Sequence, residues 1–245
     1  MSHGSKIAII GGTGKEGKGL AYCWARAGHT VLIGSRSAER AQGAAQEVIA
    51  RLGSNPGQTS VMGLDNAAAA GQAEIIVLTV PYAAHRTTLE QIRDSVQGKL
   101  VIDVTVPLVP PKVSLVKMPP AGSAALEARE ILGEGVEIAD AFQNVSHEVL
   151  AGEATADCDV LVTGSSKEAR ARALELVAAA GLSGWDAGPL ENSVVVEGLT
   201  SVLIHINRKY GSTHAGIRIT GVSAGEAASP PSRHDAMDRS ATASS

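Results

Sequence analysis

The sequence predicts an α/β fold built on a doubly wound parallel sheet, completed by a small C-terminal α/β domain. Three observations carry this. Short apolar runs alternate with helical stretches from residue 6 to about residue 141, the pattern of βαβ units. The first run, Lys6 to Ile10, opens directly into Gly11-Gly-Thr-Gly-Lys-Glu-Gly17. The second, Thr30 to Ile33, ends on Gly34-Ser-Arg36 rather than on an acidic residue.

Gly12, Gly14 and Gly17 fit G-x-G-x-x-G, which makes the fold Rossmann-type. The first glycine allows the tight turn, the second lets the backbone approach a pyrophosphate, and the third lets helix pack on strand. N–H groups at the helix start, with the positive end of the helix dipole behind them, then face the phosphates. With 27 glycines in the chain the motif alone has little weight. Its place between an apolar run and a helical stretch from about Lys15 to Ala27, closed by Gly28, gives it weight. A site for the unphosphorylated coenzyme would place a carboxylate on the ribose at the end of the second strand. Ser35 and Arg36 stand there instead, with Arg40 one helical turn on. Guanidinium groups pair with a 2′-phosphate that a carboxylate would repel, so the pattern selects NADP(H). The alternative is a pair of solvated charges at a helix start.

The remaining elements follow in order. Ala38 to about Leu52 reads as a helix with Ala41, Ala44, Ala45 and Val48 inward. Ser60 to Gly63 is a short strand, and Asp65 caps a brief alanine helix to Ala70. Glu74 to Thr79 lacks polar alternation and reads as a buried strand. Pro81 opens a helix to about Val96 as its first residue. Lys99 to Asp103 is a strand. Five prolines make Val104 to Pro120 a long surface loop. A helix from about Ser123 to Leu132 and a strand from Val136 to Ala141 complete a six-strand layer. Asp159 to Thr163 is a further strand, and Ser165 with Glu168 forms a capping box for a helix to Ala180. Trp185 to Ala187 extends a short strand. Asn192 or Ser193 caps a long helix to about Tyr210, with Val195, Val196, Leu199, Val202, Leu203 and Ile206 on one broad apolar face. Residues 1–145 are thus expected to bind the dinucleotide, 146–221 to form a small domain completing the cleft, and 222–245 to be a disordered tail.

Composition narrows the function. Net charge is −4, which offers no basic patch for nucleic acid. Cys23 and Cys158 have no metal-ligand spacing, and no metal site is expected. No apolar stretch of membrane-spanning length and no signal peptide is evident, so a soluble cytoplasmic protein is expected. Aromatic residues make up 2% of the chain, so small and aliphatic side chains must build the core. Ligands of open α/β sheets collect beyond the C-terminal strand ends. That selects Thr79-Val-Pro81, Asp103 to Pro107 and Phe142 to His147 as cleft loops.

With those residues in view, the chain from Lys6 to Gly221 resembles the F420-dependent NADP oxidoreductases. The glycine turn, Gly-Ser-Arg and Leu78-Thr-Val-Pro81 fit, but many dinucleotide-binding proteins share them. More specific are Asp186-Ala-Gly-Pro-Leu-Glu-Asn-Ser193, Val196-Glu-Gly-Leu-Thr200 and Ala215 to Gly221. The resemblance implies hydride transfer between the nicotinamide of NADP(H) and the deazaflavin coenzyme F420. It implies NADP contacts at Thr13, Gly14, Lys15, Glu16, Ser35, Arg36, Arg40, Val80 and Val106, and backbone contact at His147. It places the deazaflavin between the 142–147 loop, with Gln143, and the long helix near Thr200, and it suggests a homodimer. Where archaeal members carry His, Arg, Ser and Leu, this chain carries Gln143, Val194, Gly198 and Ala215.

Direct hydride transfer needs orientation and exclusion of water more than a catalytic side chain, and no triad is expected. His147 is a proton donor, or a helix-start residue whose backbone alone meets the ligand. Glu197 has no cationic partner in its own sequence neighbourhood and reads as structural or as a dimer contact. The competing readings are an NADPH-dependent reductase of a flavin, quinone or metal chelate, and a non-catalytic NADPH sensor.

Overall fold

The computed structural model describes residues 4–53, 61–152 and 157–222. Ser60, expected to open the third strand, and all but the first residue of the expected tail lie outside them. One eight-stranded sheet runs through the molecule in the order β3-β2-β1-β4-β5-β6-β7-β8. Its strands are β1 (Lys6–Ile10), β2 (Thr30–Ser35), β3 (Val61–Asp65), β4 (Ile75–Leu78), β5 (Leu100–Asp103), β6 (Glu137–Asp140), β7 (Asp159–Gly164) and β8 (Ser183–Pro189). All neighbours are parallel except β6 and β7, which pair antiparallel through Ala139↔Gly164 and Asp140↔Thr163. The first six strands have the mononucleotide-binding order, with the switch point between β1 and β4. The C-terminal strands hydrogen-bond onto the same sheet, β7 to β6 and β8 to β7.

The helices are α1 (Lys15–Arg26), α2 (Ala38–Leu52), α3 (Asn66–Gln72), α4 (Tyr82–Ile92), α5 (Ala124–Leu132), α6 (His147–Leu150), α7 (Lys167–Ala179) and α8 (Ser193–Tyr210). They cover both faces, and the strands split their side chains between two cores, as the two-residue strand period requires. Ile7 and Ile9 of β1 point into one core with Leu20, Trp24 and Val177. Ala8 and Ile10 point into the other with Leu32, Leu89 and Ile138. Trp24 joins the two ends of the chain: its indole N–H donates to the Leu176 carbonyl at 2.9 Å, and its ring meets Phe142 edge-on at 6.0 Å.

Local signals mostly act as expected. Asp65 accepts from the Ala68 N–H at 2.9 Å, and Ser123 from the Leu126 N–H at 3.0 Å. Four expectations need correction. Pro81 precedes α4 as its cap residue, and that helix ends at Ile92, followed by a 3₁₀ turn over Arg93–Val96. Ser166, not Ser165, caps α7, accepting from the Ala169 N–H at 3.0 Å. Ser165 instead accepts from the Ile138 N–H and donates to Glu137. Asn192 stands at the N-cap of α8 as expected, although its side chain makes no capping bond there and a 3₁₀ turn over Leu190–Asn192 leads into the helix. The apolar face of α8 is divided too. Val196 and Leu203 are buried beside Ser193, Glu197 and Ser201, while Val195, Val202 and Ile206 are exposed.

Candidate functional site

The glycine turn leaves β1 between two neighbours. Gly11 has φ +74°, and a Cβ there would meet Val80 Cγ1 at 2.4 Å, so this residue lets the β1 and β4 exits close on each other. A Cβ on Gly12 would lie 2.8 Å from the Ile9 carbonyl, and one on Gly17 would lie 2.6 Å from the Gly12 Cα. These two glycines are fixed by the protein itself. Gly14 differs: a Cβ there meets nothing within 4 Å, and the residue is exposed at the N-cap of α1. Open space in front of free helix N–H groups is what a pyrophosphate needs. Asn66, which the sequence reading missed, braces the turn by accepting from the Gly11 N–H at 3.4 Å.

Thr13 and Glu16 are half-buried, and Lys15 is exposed on the first turn of α1. Burial in the turn pushes the Glu16 carboxyl up to about 8.

At the β2 exit Ser35 is buried and its hydroxyl oxygen accepts from the Ser37 N–H at 3.3 Å, which leaves its own O–H to donate. Ser37 caps α2, accepting from the Arg40 N–H at 3.3 Å. Arg36 and Arg40 are both exposed, and neither has an ion-pair partner among the described residues. Two uncommitted guanidinium groups therefore stand at a capped helix start.

The three loops named from sequence are stitched together at the other side of the switch point. Thr79 donates backbone and hydroxyl to the Ile10 carbonyl. The Val104 N–H donates to Leu78, and the Thr105 hydroxyl donates to the Val80 carbonyl at 3.4 Å. The Gln143 amide N–H donates to the Asp103 carbonyl at 2.7 Å and to the Asp140 carboxyl. Thr200 of α8 donates to the Gln143 carbonyl at 2.9 Å, and Asn144 donates to Thr200 and to the Val196 carbonyl. Val80, Val106, His147 and Thr200 are half-buried around these loops, whereas Gln143 is buried beneath them. Phe142 opens the last loop at φ +75°, the sole positive φ outside glycine among the described residues. A bulky side chain there is strained, and the packed Trp24 ring and the core hold it in place.

Under the loops lies a polar cluster that the sequence reading left as separate residues. His85 Nε2 and Asp103 Oδ2 are 2.6 Å apart and fully buried. The second Asp103 oxygen accepts from the Thr105 N–H at 2.9 Å. Burial pulls the His85 imidazole down, but Asp103, Glu127 and Glu197 outweigh it and leave its pKa raised. Asp140, paired with Asp103 across β5 and β6, is raised by burial and by the carboxylates of Glu197 and Asp103. Glu197 is fully buried and accepts the Ala124 and Ala125 N–H groups at 2.7 and 3.0 Å, capping α5 from α8. Burial pushes it up to about 8, against those two hydrogen bonds. It is structural, and no dimer contact can reach it. Its partners lie 72 and 73 residues away, so no local pattern could have revealed them. Among the described residues no group of three metal-ligating side chains forms.

Comparison with known proteins decides the family. The model of the family described as "NADP oxidoreductase coenzyme F420-dependent" matches residues 6–107. The chain is 37% identical over 222 residues to the F420-dependent NADP reductase of Methanocaldococcus jannaschii, covering 89% of this chain and 99% of that one. The chain belongs to the F420-dependent NADP oxidoreductase family. A second relative, the F420-dependent NADP reductase of Methanothermobacter thermautotrophicus, is 40% identical over 223 residues, covering 89% of this chain and 95% of its own length. A crystal structure from Arthrobacter sp. FB24, provisionally assigned as an F420-dependent NADP reductase, shares the fold. Its TM-score is 0.73 at 24% identity, over 89% of this chain and all of that one.

Proposed function

We propose that this protein transfers a hydride between NADP(H) and coenzyme F420. The observation that carries the reading is the pairing of an open cradle at Gly14 with two uncommitted guanidinium groups at Arg36 and Arg40, in a chain that belongs to this family. Gly12, Thr13, Gly14, Lys15, Glu16 and Gly17 form the pyrophosphate turn. Ser35, Arg36 and Arg40 take the 2′-phosphate. Val80, Val106 and the backbone at His147 border the nicotinamide. Thr200 and the turn that contains Gln143 border the deazaflavin. Residues 1–145 hold the dinucleotide, and 146–221 close the cleft over it.

The two coenzymes supply the hydride donor and acceptor. The protein's part is orientation and exclusion of water, and bringing reacting carbons to roughly 3–3.5 Å contributes much of the rate. The loop network described above suits that role, because each loop is hydrogen-bonded to its neighbour by the protein itself. No side chain is required as nucleophile or obligatory acid.

No helix among the described residues is long and apolar enough to cross a membrane. Both cysteines are free, which fits a reducing cytoplasm. The exposed face of α8, with Val195 73% and Val202 45% exposed, supports assembly as a homodimer.

The test is a mixture of protein, NADPH and oxidised F420 in which loss of the visible deazaflavin absorbance is followed. Reduction of F420 is expected. Activity on FMN without activity on F420 would support a reductase of another acceptor, and binding of NADPH without turnover of any acceptor would support a sensor.

A further inference from the structure

The cleft loops share one buried point of attachment. Asp103 ends β5 and is fully enclosed, and each of its oxygens has a partner. Its Oδ2 lies 2.6 Å from His85 Nε2, where the imidazole donates to the carboxylate. Its Oδ1 accepts from the Thr105 N–H at 2.9 Å. Its backbone carbonyl accepts from the Gln143 side-chain amide at 2.7 Å and from the Ala141 N–H at 3.2 Å.

Two of these contacts lead to opposite walls of the proposed cleft. The Thr105 hydroxyl reaches the Val80 carbonyl at 3.4 Å, and Val106 follows in the chain. The Gln143 backbone carbonyl accepts from Thr200 of α8 at 2.9 Å. Val80 and Val106 border the nicotinamide in the reading above, and Thr200 with the 142–147 turn borders the deazaflavin. One carboxylate residue therefore joins the two half-sites from beneath.

His85 orients that residue. It projects from α4 and is fully buried. Its second ring nitrogen, Nδ1, has no hydrogen-bond partner among the described residues and lies 3.7 Å from Glu127 Oε2. Glu127, on α5, is held in turn by the Tyr82 hydroxyl at 3.0 Å and by Arg86 at 2.7 Å. The ring is thus flanked by an anchored acid on one side and by Asp103 on the other. A buried ion pair adds little stability over an apolar pair of equal volume, because desolvation offsets the attraction. What it adds is direction. The contact with Nε2 fixes the turn of the carboxylate, and that turn aims Oδ1 at the Thr105 N–H. An apolar side chain in place of the imidazole would fill the space without setting it.

We propose that His85 and Asp103 are a positioning pair that sets the separation of the nicotinamide and deazaflavin walls. The inference rests on the F420 reading above. Both side chains are enclosed and act through the loops, not on a reacting atom. Reacting carbons must stand roughly 3–3.5 Å apart, and a misplacement of about 1 Å costs about a hundredfold in rate. The proposed phosphate contacts lie elsewhere, at residues 11–17 and 35–40. Loosening the Thr105 loop therefore slows the transfer before it weakens binding of NADPH.

The test is single-turnover reduction of oxidised F420 by NADPH, followed through the deazaflavin absorbance. It compares wild type, His85→Phe, His85→Gln, Asp103→Asn and the His85→Phe/Asp103→Asn double variant. His85→Phe should slow the transfer step about ten- to fiftyfold. The dissociation constant of NADPH and the KM of F420 should stay within about twofold. His85→Gln returns an N–H near the place of Nε2 and should recover most of the rate. Asp103→Asn should be slowed at least as far as His85→Phe, and the double variant no further than Asp103→Asn, since both changes act through one carboxylate. Molecules that fail to fold lower the amplitude and leave the rate. If His85→Phe yields no folded protein, a slow Asp103→Asn beside a near-wild-type His85→Gln gives the same support. Unchanged rates, a His85→Gln rate as low as that of His85→Phe or Asp103→Asn, additive losses in the double variant, or NADPH binding that falls as far as the rate would overturn the positioning role while leaving the F420 reading intact. Failure of wild type to reduce F420 would overturn the F420 reading, and the positioning role with it.

Discussion

Arg36→Glu tests the electrostatic basis of coenzyme choice. Arg36 is exposed at the β2 exit, immediately after the buried Ser35, and has no ion-pair partner among the described residues, so its removal should leave the fold unchanged. A charge-assisted hydrogen bond contributes about 1.5–3 kcal/mol, and an exposed site sits at the lower end because solvent screens it. Reversing the charge removes that attraction and adds a repulsion of similar size. Arg40, one turn further along α2, survives and limits the damage. The net expectation is a rise of about thirty- to a hundredfold in the dissociation constant for NADPH. NADH lacks the 2′-phosphate and should change by no more than about threefold, a difference of under about 0.7 kcal/mol. Fluorescence titration of both coenzymes at low and at physiological salt reads this directly. Salt should weaken NADPH binding in wild type more than in the variant. Equal loss for the two coenzymes would refute the assignment of Arg36 to the phosphate.

Two glycines and one buried acid give further tests. Gly14→Ala should unfold at the wild-type temperature yet lose NADPH affinity, because its methyl group enters open space reserved for phosphate. Gly17→Ala should lower the melting temperature, because its Cβ would stand 2.6 Å from the Gly12 Cα. Equal thermal loss for both would mean that the cradle is not open. Glu197→Ala strips the acceptor from two α5 N–H groups and should cost about 2–4 kcal/mol in urea unfolding, with Glu197→Gln recovering part of it. The pH dependence follows from linkage. Glu197 rises from the ordinary 4.5 to about 8 on folding, so the native state holds a proton that the unfolded chain releases. That stability is complete below about 4.5 and is lost as pH climbs towards 8, and the raised Asp140 and His85 act in the same direction. The urea midpoint should therefore fall between pH 5.5 and 8.5, with a shallower fall in Glu197→Gln. A midpoint that rises over that range would contradict the reading.

The parts of the site legible in sequence share one property: they are local. A strand, a glycine turn and a helix start lie within a dozen residues, so spacing encodes their geometry, and Ser35, Arg36 and Arg40 are read in the same way. Asp65 and Ser123 announce their helices because a cap acts three residues away. The cap of α7 lies one residue on from the expected one: Ser165 fits the capping-box pattern with Glu168, but its hydroxyl is engaged by the Ile138 N–H of the neighbouring strand, and Ser166, without a glutamate three residues on, caps the helix instead. What stayed hidden is long-range. Asn66 reaches Gly11 across 55 residues, and Glu197 reaches Ala124 across 73. Leucines and valines set the expectation of a broad apolar face on α8, but the helix turns Glu197 inward to accept two α5 N–H groups and Ser193 inward to meet the Ser123 hydroxyl, with Ser201 buried on the same side. The strain at Phe142 is a backbone property, and a phenylalanine codon carries no sign of it.

That hidden polar layer lies beside three of the four positions, Gln143, Val194, Gly198 and Ala215, at which the family resemblance leads one to expect a departure from archaeal members. Of the four departures, Val194 and Gly198 lie on one side of α8, and both face the proline-rich loop that follows β5. A Cβ on Gly198 would have Val116 and Met118 as its neighbours at 3.5 and 3.9 Å, and one on Gly122 would stand 3.2 Å from Val194. Polar residues at both positions would face that apolar loop. Val194 and Gly198 therefore share one contact region. Gln143 is different: its amide is bound to Asp103 and Asp140 inside the network, so it sets the shape of the turn instead of presenting a charge to the cleft. Neither change touches the glycine turn or the Ser-Arg exit. The proposed coenzyme half of the site rests on local geometry that few substitutions can alter, whereas the proposed deazaflavin half rests on a loop, a strained turn and one face of a helix, which can be repacked together. Differences in acceptor preference among members of this family should therefore map to the α8–loop contact, while their preference for NADP(H) stays with residues 11–17 and 35–40.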